Sequence, residues 1–127
     1  MSVTAAKGFV AAGIHGGVKE SGDLDLALVA TASGQPVAGT AVFTQNHVAA
    51  APVQLSRTNL RQSAGQVGAV LFNSGNANAA TGDQGVQDAE RLTGVLGAEL
   101  GLHPQHVLMC STGLIGIPLP VEAMEAA

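Results

Sequence analysis

Tryptophan and tyrosine are missing altogether, and the aromatic complement is Phe9, Phe43 and Phe72. Without aromatic bulk, a core has to be filled by Val, Leu, Ile and Ala with backbones packed close together, and seventeen glycines permit that closeness. A single cysteine, Cys110, excludes an internal disulfide and any cysteine-rich metal site. Charge is sparse as well: 11% of residues are charged against 46% hydrophobic, with a net charge of −4. The few Lys and Arg are scattered. With neither a basic stripe nor an aromatic stacking platform, no nucleic-acid partner is expected. No apolar run approaches the ~18–20 residues that span a bilayer. The N-terminal Met-Ser-Val-Thr-Ala-Ala-Lys lacks the charged and continuous apolar regions of a secretory signal. The expectation is therefore a cytoplasmic chain with no membrane segment. So little polar cover also implies that part of the surface is buried against a partner.

At 127 residues the chain is one domain or part of one. Its patterning is that of an α/β fold. Phe9-Val10 and Ile14 mark a short strand within residues 8–18, where Gly13, Gly16 and Gly17 allow close backbone approach. Residues 24–33 alternate, with Leu24, Leu26, Leu28 and Ala30 on one face, and residues 37–46 read as a second strand. Gly34-Gln35-Pro36 between them predicts a hairpin. Ser56 is placed to cap a short helix over 57–62. Residues 67–72 form the most strand-like run in the middle of the chain, followed by a string of turn-formers over 73–82. One clear helix is predicted over about 84–100, capped by Thr81 or Asp83, with Val86, Ala89, Leu92, Val95, Leu96 and Leu100 at helical spacing and Gly101 as its stop. A buried strand over 106–110 runs into an expected turn at Ser111-Thr112-Gly113. A further helix starts after Pro120 and is incomplete at Ala127, the expectation being a truncated or processed chain. There is no internal repeat and no linker.

Few of these residues announce chemistry. His15, His47, His103 and His106 have no metal spacing, and His103 with His106 beside Pro104 reads as a solvated loop pair. Asp23 and Asp25 read as turn and edge charges rather than a dyad. A Gly-x-Ser-x-Gly elbow is absent. Cys110, inside a strand, reads as a small hydrophobe. Asn73, Asn76 and Asn78 offer amides that suit a polar ligand, but an Asx-turn and helix cap is the simpler account. A Thr hydroxyl next to a Gly N–H, at Thr112-Gly113, is a donor pair for a developing oxyanion, but on chemistry alone an ordinary turn is the better account.

Several segments together carry a resemblance: Gly13-Ile14 with Gly17-Val18-Lys19, Asp25-Leu26-Ala27-Leu28-Val29, Ala41-Val42-Phe43-Thr44-Gln45-Asn46, Ala50-Ala51-Pro52-Val53, the run from Asn73 to Gly82, and Ser111-Thr112-Gly113-Leu114-Ile115-Gly116 with Leu119-Pro120. In this order, over nearly the whole chain, they resemble the start of the ornithine acetyltransferase (glutamate N-acetyltransferase) family, the ArgJ-type enzymes of arginine biosynthesis. Ala80 departs from it, standing where the family often has Cys. The resemblance implies an ArgJ-like layered sheet-and-helix fold, with residues 1–127 as a single partial domain, the N-terminal part of the α chain. It implies a precursor that cleaves itself at an Ala-Thr bond into α and β chains, assembled as an α2β2 heterotetramer. The new N-terminal Thr of the β chain takes acetyl from N-acetylornithine, or from acetyl-CoA in bifunctional members, and passes it to glutamate. No resident cofactor and no metal are implied. Thr112 and Gly113 match the family's oxyanion-hole pair. The family's substrate-binding Thr and Lys, and its nucleophilic Thr, have no counterpart here, so the chain alone is expected to be catalytically silent. The alternative expectation is a non-catalytic member serving as a scaffold or a small-ligand binding domain.

Overall fold

In the computed structural model, which describes residues 3–127, a four-stranded mixed sheet carries the chain's helices on one face. The first two residues of the N-terminal stretch and of the 1–127 domain lie outside the described residues. The strands are β1 (Phe9–Ile14), β2 (Leu26–Thr31), β3 (Val37–Ala38), β4 (Gln66–Val67), β5 (Ala69–Asn76) and β6 (Val107–Leu114), and the helices are α1 (Ala51–Gln62), α2 (Gly82–Leu100) and α3 (Val121–Ala126). The main sheet has the order β1-β2-β5-β6; β1 and β2 run antiparallel, as do β2 and β5, while β5 and β6 are parallel. Helix α2 is the crossover that a parallel pair requires.

Alternation along the strands sorts their side chains. Leu26, Leu71 and Met109 point inward and pack with Leu55 of α1, Ala89 and Leu92 of α2, and Leu119, Val121 and Met124 near the chain's end. A second cluster joins Ala30, Ala69 and Val107 to Leu102. The packing is close because small residues sit where elements meet. A Cβ on Gly97 would lie 2.9 Å from the Leu102 carbonyl oxygen, and one on Gly68 2.7 Å from the Leu102 side chain. Aromatic bulk is not needed where backbones approach this closely.

Among the described residues no helix lies on the opposite face of the sheet. By register, Ala27, Val29, Val70, Phe72, Leu108 and Cys110 fall on that side. Phe72 is 37% exposed and Phe9 40% exposed. Antiparallel sheets commonly leave one face to water, but that face is then polar; this one is lined by apolar side chains, which suits covering by further protein.

The structure corrects several expectations. The hairpin of 24–33 with 37–46 does not form, because both edges of β2 are taken by β1 and β5. Instead Val37–Ala38 pairs with Gln66–Val67, and 39–50 contain no helix or strand. Helix α1 starts at Ala51, six residues before the expected position, with Pro52 in its first turn, where a missing N–H costs nothing. Ser56 is therefore mid-helix and not a cap. Strand β5 continues through Asn76, and β6 continues through Thr112 and Gly113, so neither stretch is a turn. The long helix agrees with its prediction, including left-handed Gly101 at its C-terminus, but its buried stripe is rotated: Val95 is 38% exposed and Thr93 is buried. Thr81 stands at its N-cap position without a side-chain capping bond; its hydroxyl donates to Asn78 Oδ1 at 2.7 Å.

Candidate functional site: the open end of β6

Strand β6 is a sheet edge, and α1 lies along it. Ser56 Oγ donates to the Met109 carbonyl and accepts from the Met109 N–H, both at 2.9 Å. Asn59 Nδ2 donates to the Val107 carbonyl at 2.9 Å and to that of Pro104 at 3.2 Å. Two buried polar side chains of a helix thus take over groups that a neighbouring strand would have bound. On the other side of β6, the His106 carbonyl accepts from Gly68 and the Leu114 carbonyl accepts the N–H of Ala77, each at 2.8 Å. The backbone groups of even-numbered residues therefore face β5, and those of odd-numbered residues face the edge. Continued along the strand, this alternation puts the N–H groups of Ser111 and Gly113 on the outer edge, past the last hydrogen bond from α1. Because Ser56 is opposite Met109 and Asn59 opposite Val107, α1 runs against β6 and turns its N-terminus toward that end. The partial positive charge there favours an anion.

Gly113 can only be glycine. Its φ is +139°, and a Cβ on it would sit 2.2 Å from the carbonyl carbon of Gly75 and 2.4 Å from the Asn76 nitrogen. The register between β5 and β6 slips here, with Asn76 opposing both Thr112 and Leu114. Such a bulge re-aims backbone groups. Thr112 is exposed, on the open sheet face. It borders a depression of about 360 Å³ lined also by Gly13, Asp25, Phe72, Ser74 and Cys110.

The three Asn side chains are buried. Asn73 Nδ2 donates to the Asn76 carbonyl at 2.8 Å, Asn76 Nδ2 to the carbonyls of Ile117 and Pro118 at 3.0 Å, and Asn78 Nδ2 to that of Gly85 at 2.8 Å. Asn76 Oδ1 accepts from the Asn78 N–H, an Asx-turn. They brace the loops around the strand ends. Asn73 Oδ1 and Ser111 Oγ, at paired register positions, are both buried without a hydrogen-bond partner among the described residues.

Asp25 is the residue that sequence reasoning missed. It is buried, not an edge charge, and accepts hydrogen bonds from the backbone N–H groups of Gly16 at 2.5 Å, Val18 at 2.8 Å and Lys19 at 2.7 Å. Burial alone would push its carboxyl up. The three N–H donors and His15, whose Nδ1 lies 3.5 Å from Oδ2, outweigh that and hold it below the usual carboxylate range. The signal in the sequence was the glycine pair at 16 and 17, which allows successive backbone N–H groups to converge on an anion.

The remaining candidates stay apart. His103 and His106 meet edge-on with ring centroids 6.2 Å apart, in a short 3-10 turn, and His103 Nδ1 accepts from the Gln105 N–H. Among the described residues no cluster of His, Cys, Asp and Glu is arranged to hold a metal. Cys110 lies in β6 as expected, but on the exposed face; partial burial pushes its thiol up, which disfavours the thiolate. No helix among the described residues is long and apolar enough to cross a membrane.

Fold and site define an α/β protein with a one-sided helix layer and a backbone-donor site at the open end of its parallel strand pair. The chain belongs to the ArgJ family, whose family model matches residues 10–127. It is 50% identical over 125 residues to the arginine biosynthesis bifunctional protein ArgJ of Thermosynechococcus vestitus, covering 98% of this chain and 29% of that protein. To the protein of the same name from Streptomyces coelicolor it is 52% identical over 128 residues, covering 98% and 32%. The chain thus spans about three-tenths of the length of the curated relatives it matches. Among solved structures, the Bacillus halodurans arginine biosynthesis bifunctional protein ArgJ superposes with a TM-score of 0.91 at 37% identity, covering 99% of this chain and 64% of that one. The ornithine acetyltransferase of Mycobacterium tuberculosis, solved with ornithine, gives 0.89 at 42% identity, covering 98% and 65%. The ArgJ-like fold expected from the resemblance is thereby established.

Proposed function

We propose that these residues are the N-terminal part of the α chain of an acetyltransferase of arginine biosynthesis. In this reading it moves acetyl from N2-acetyl-L-ornithine to L-glutamate through an acetyl-threonine intermediate, with acetyl-CoA as a further donor. Threonine Oγ attacks the acetyl carbon, the carbonyl oxygen becomes an oxyanion, and the intermediate collapses as the ornithine amine leaves with a proton. Glutamate's amine then takes the acetyl group by the reverse sequence. Each tetrahedral oxyanion needs preorganised donors, and Thr112 Oγ–H with the Gly113 N–H would supply them. The observation that carries this is the placement of the Gly113 N–H on an open strand edge, at a position sterically closed to any other residue. Names of the relatives and the ornithine complex of one structural neighbour support the substrate class.

No residue among the 127 matches the family's nucleophilic threonine, so the proposal assigns that role to sequence outside them. The partner would be the β chain of the same precursor, in an α2β2 assembly, and the bare apolar sheet face beside Thr112 is a surface it would cover. The compartment would be the cytoplasm.

In the complete protein, Thr112→Ala should slow acetyl transfer by roughly 10²–10³, as loss of one oxyanion donor does, while the circular dichroism spectrum is retained. An unchanged rate removes Thr112 from the mechanism.

A further inference from the structure

Behind Gly113 lies the backbone of Gly75, and behind Gly75 lie the side chains of Val18 and Lys19. Asp25 is anchored to β5 by its own carbonyl, which accepts the Ser74 N–H at 2.9 Å, and to β1 by its N–H, which donates to the Ile14 carbonyl at 3.1 Å. Its carboxylate, fully buried, gathers Gly16, Val18 and Lys19 into a tight loop. The far side of that loop rests on Gly75: a Cβ there would meet Lys19 Cγ at 3.0 Å and Val18 Cγ1 at 3.3 Å. Gly75 has a φ of +108° and is itself the surface against which Gly113 is pressed. The β5–β6 register slip occurs at this point.

We propose that Asp25 is a positioning residue for Gly113: its carboxylate holds the 16–19 loop as a wedge behind Gly75, and the wedge maintains the register slip at which Gly113 is seated with its N–H on the strand edge. This rests on the functional reading above for its catalytic consequence, but not for its structural content. A carboxylate whose only task was to close its own loop would not need that loop stacked against the bulge. Removing one charge then loosens two glycines on separate strands, neither of which is among the hydrogen-bond partners of Asp25's side chain.

Amide hydrogen exchange by NMR on the full 127-residue chain separates this from a local role. Asp25→Asn should speed exchange at Val18 and Lys19 by at least about tenfold and at Ala77, whose N–H donates to the Leu114 carbonyl across the register slip, by at least about threefold, while the α2 amides of Ala89–Gly97 keep their rates. Val18→Ala, which trims the wedge without touching the carboxylate, should speed Ala77 and leave Lys19 protected. It also serves if Asp25→Asn does not fold. Ala77 rates unmoved in both variants, or a uniform rise that includes α2, would overturn the proposal. In the complete protein, Asp25→Asn should lower kcat for acetyl transfer with KM little changed, and Asp25→Glu should restore part of it. The two readings fail separately. Exchange coupling with no rate loss in Thr112→Ala removes the oxyanion role alone, and loss of coupling with a slowed Thr112→Ala removes the Asp25 role alone.

Discussion

Gly113 and Asp25 show how much one position can hold. Gly113→Ala places a methyl inside the Gly75 backbone and demands a left-handed-side φ of +139° from an L residue. Strain of that kind costs about 1–3 kcal/mol before any clash is relieved. Urea denaturation should therefore register a loss at or above the upper end of that range. Asp25 makes stability pH-dependent with a definite sign. Its folded carboxyl titrates below the unfolded one, so the stabilisation is fully present above the unfolded value and is lost as pH falls through the folded value. Thermal melts through the acidic range should show that decline, and Asp25→Asn should flatten it while lowering the melting temperature near neutrality. Neither role was legible from residue type. Asp25 sits two residues from Asp23, in a glycine-rich stretch, and only the fold shows that Asp25 is buried while Asp23 accepts from the Ser21 hydroxyl at the surface.

Among the elements, α1 depends most on tertiary context. Its sequence, Ala-Pro-Val-Gln-Leu-Ser-Arg-Thr-Asn-Leu-Arg-Gln, has polar residues on the face that proves buried. Ser56 and Asn59 are there because they bind an edge strand's backbone, which hydrophobic periodicity does not reveal. Ser56→Ala should leave a buried N–H and carbonyl of Met109 without partners, a cost of about 1–3 kcal/mol. Ser56→Ala at a true N-cap would cost about 1 kcal/mol and be rescued by Asn or Asp; here neither replacement should rescue, and chemical denaturation of the three variants distinguishes the cases. Helix α2 was legible because its length, apolar recurrence and Gly101 agree with one another. Leu92, 4% exposed at its centre, should cost about 2–5 kcal/mol on truncation to Ala, measured the same way. The hairpin expected of 24–33 and 37–46 failed for the converse reason. Alternation identifies a strand but not its partner, and β1 and β5 together occupy both edges of β2.

At the level of the whole molecule, helices cover one face of the sheet and leave the other bare. Apolar residues dominate the bare face, and apolar exposure on this scale normally marks an interface. The 127-residue chain on its own should therefore enhance the fluorescence of an apolar dye and self-associate with rising concentration in sedimentation experiments, and a polar substitution at Phe72 should weaken both. The sequence by itself determined the class: its length, strand alternation, one strong helix and ordered small-residue motifs point to an α/β chain of the ArgJ family, because these signals are local or linear. It also brought out Thr112-Gly113 as a candidate. Only the tertiary structure decided that this pair lies on a strand and not in a turn, that α1 stops short of it, and that Asp25 stands behind it. Those facts depend on which segments meet, and contacts that join residues 18 and 19 to 75, and 75 to 113, leave no trace in the spacing of the residues between them.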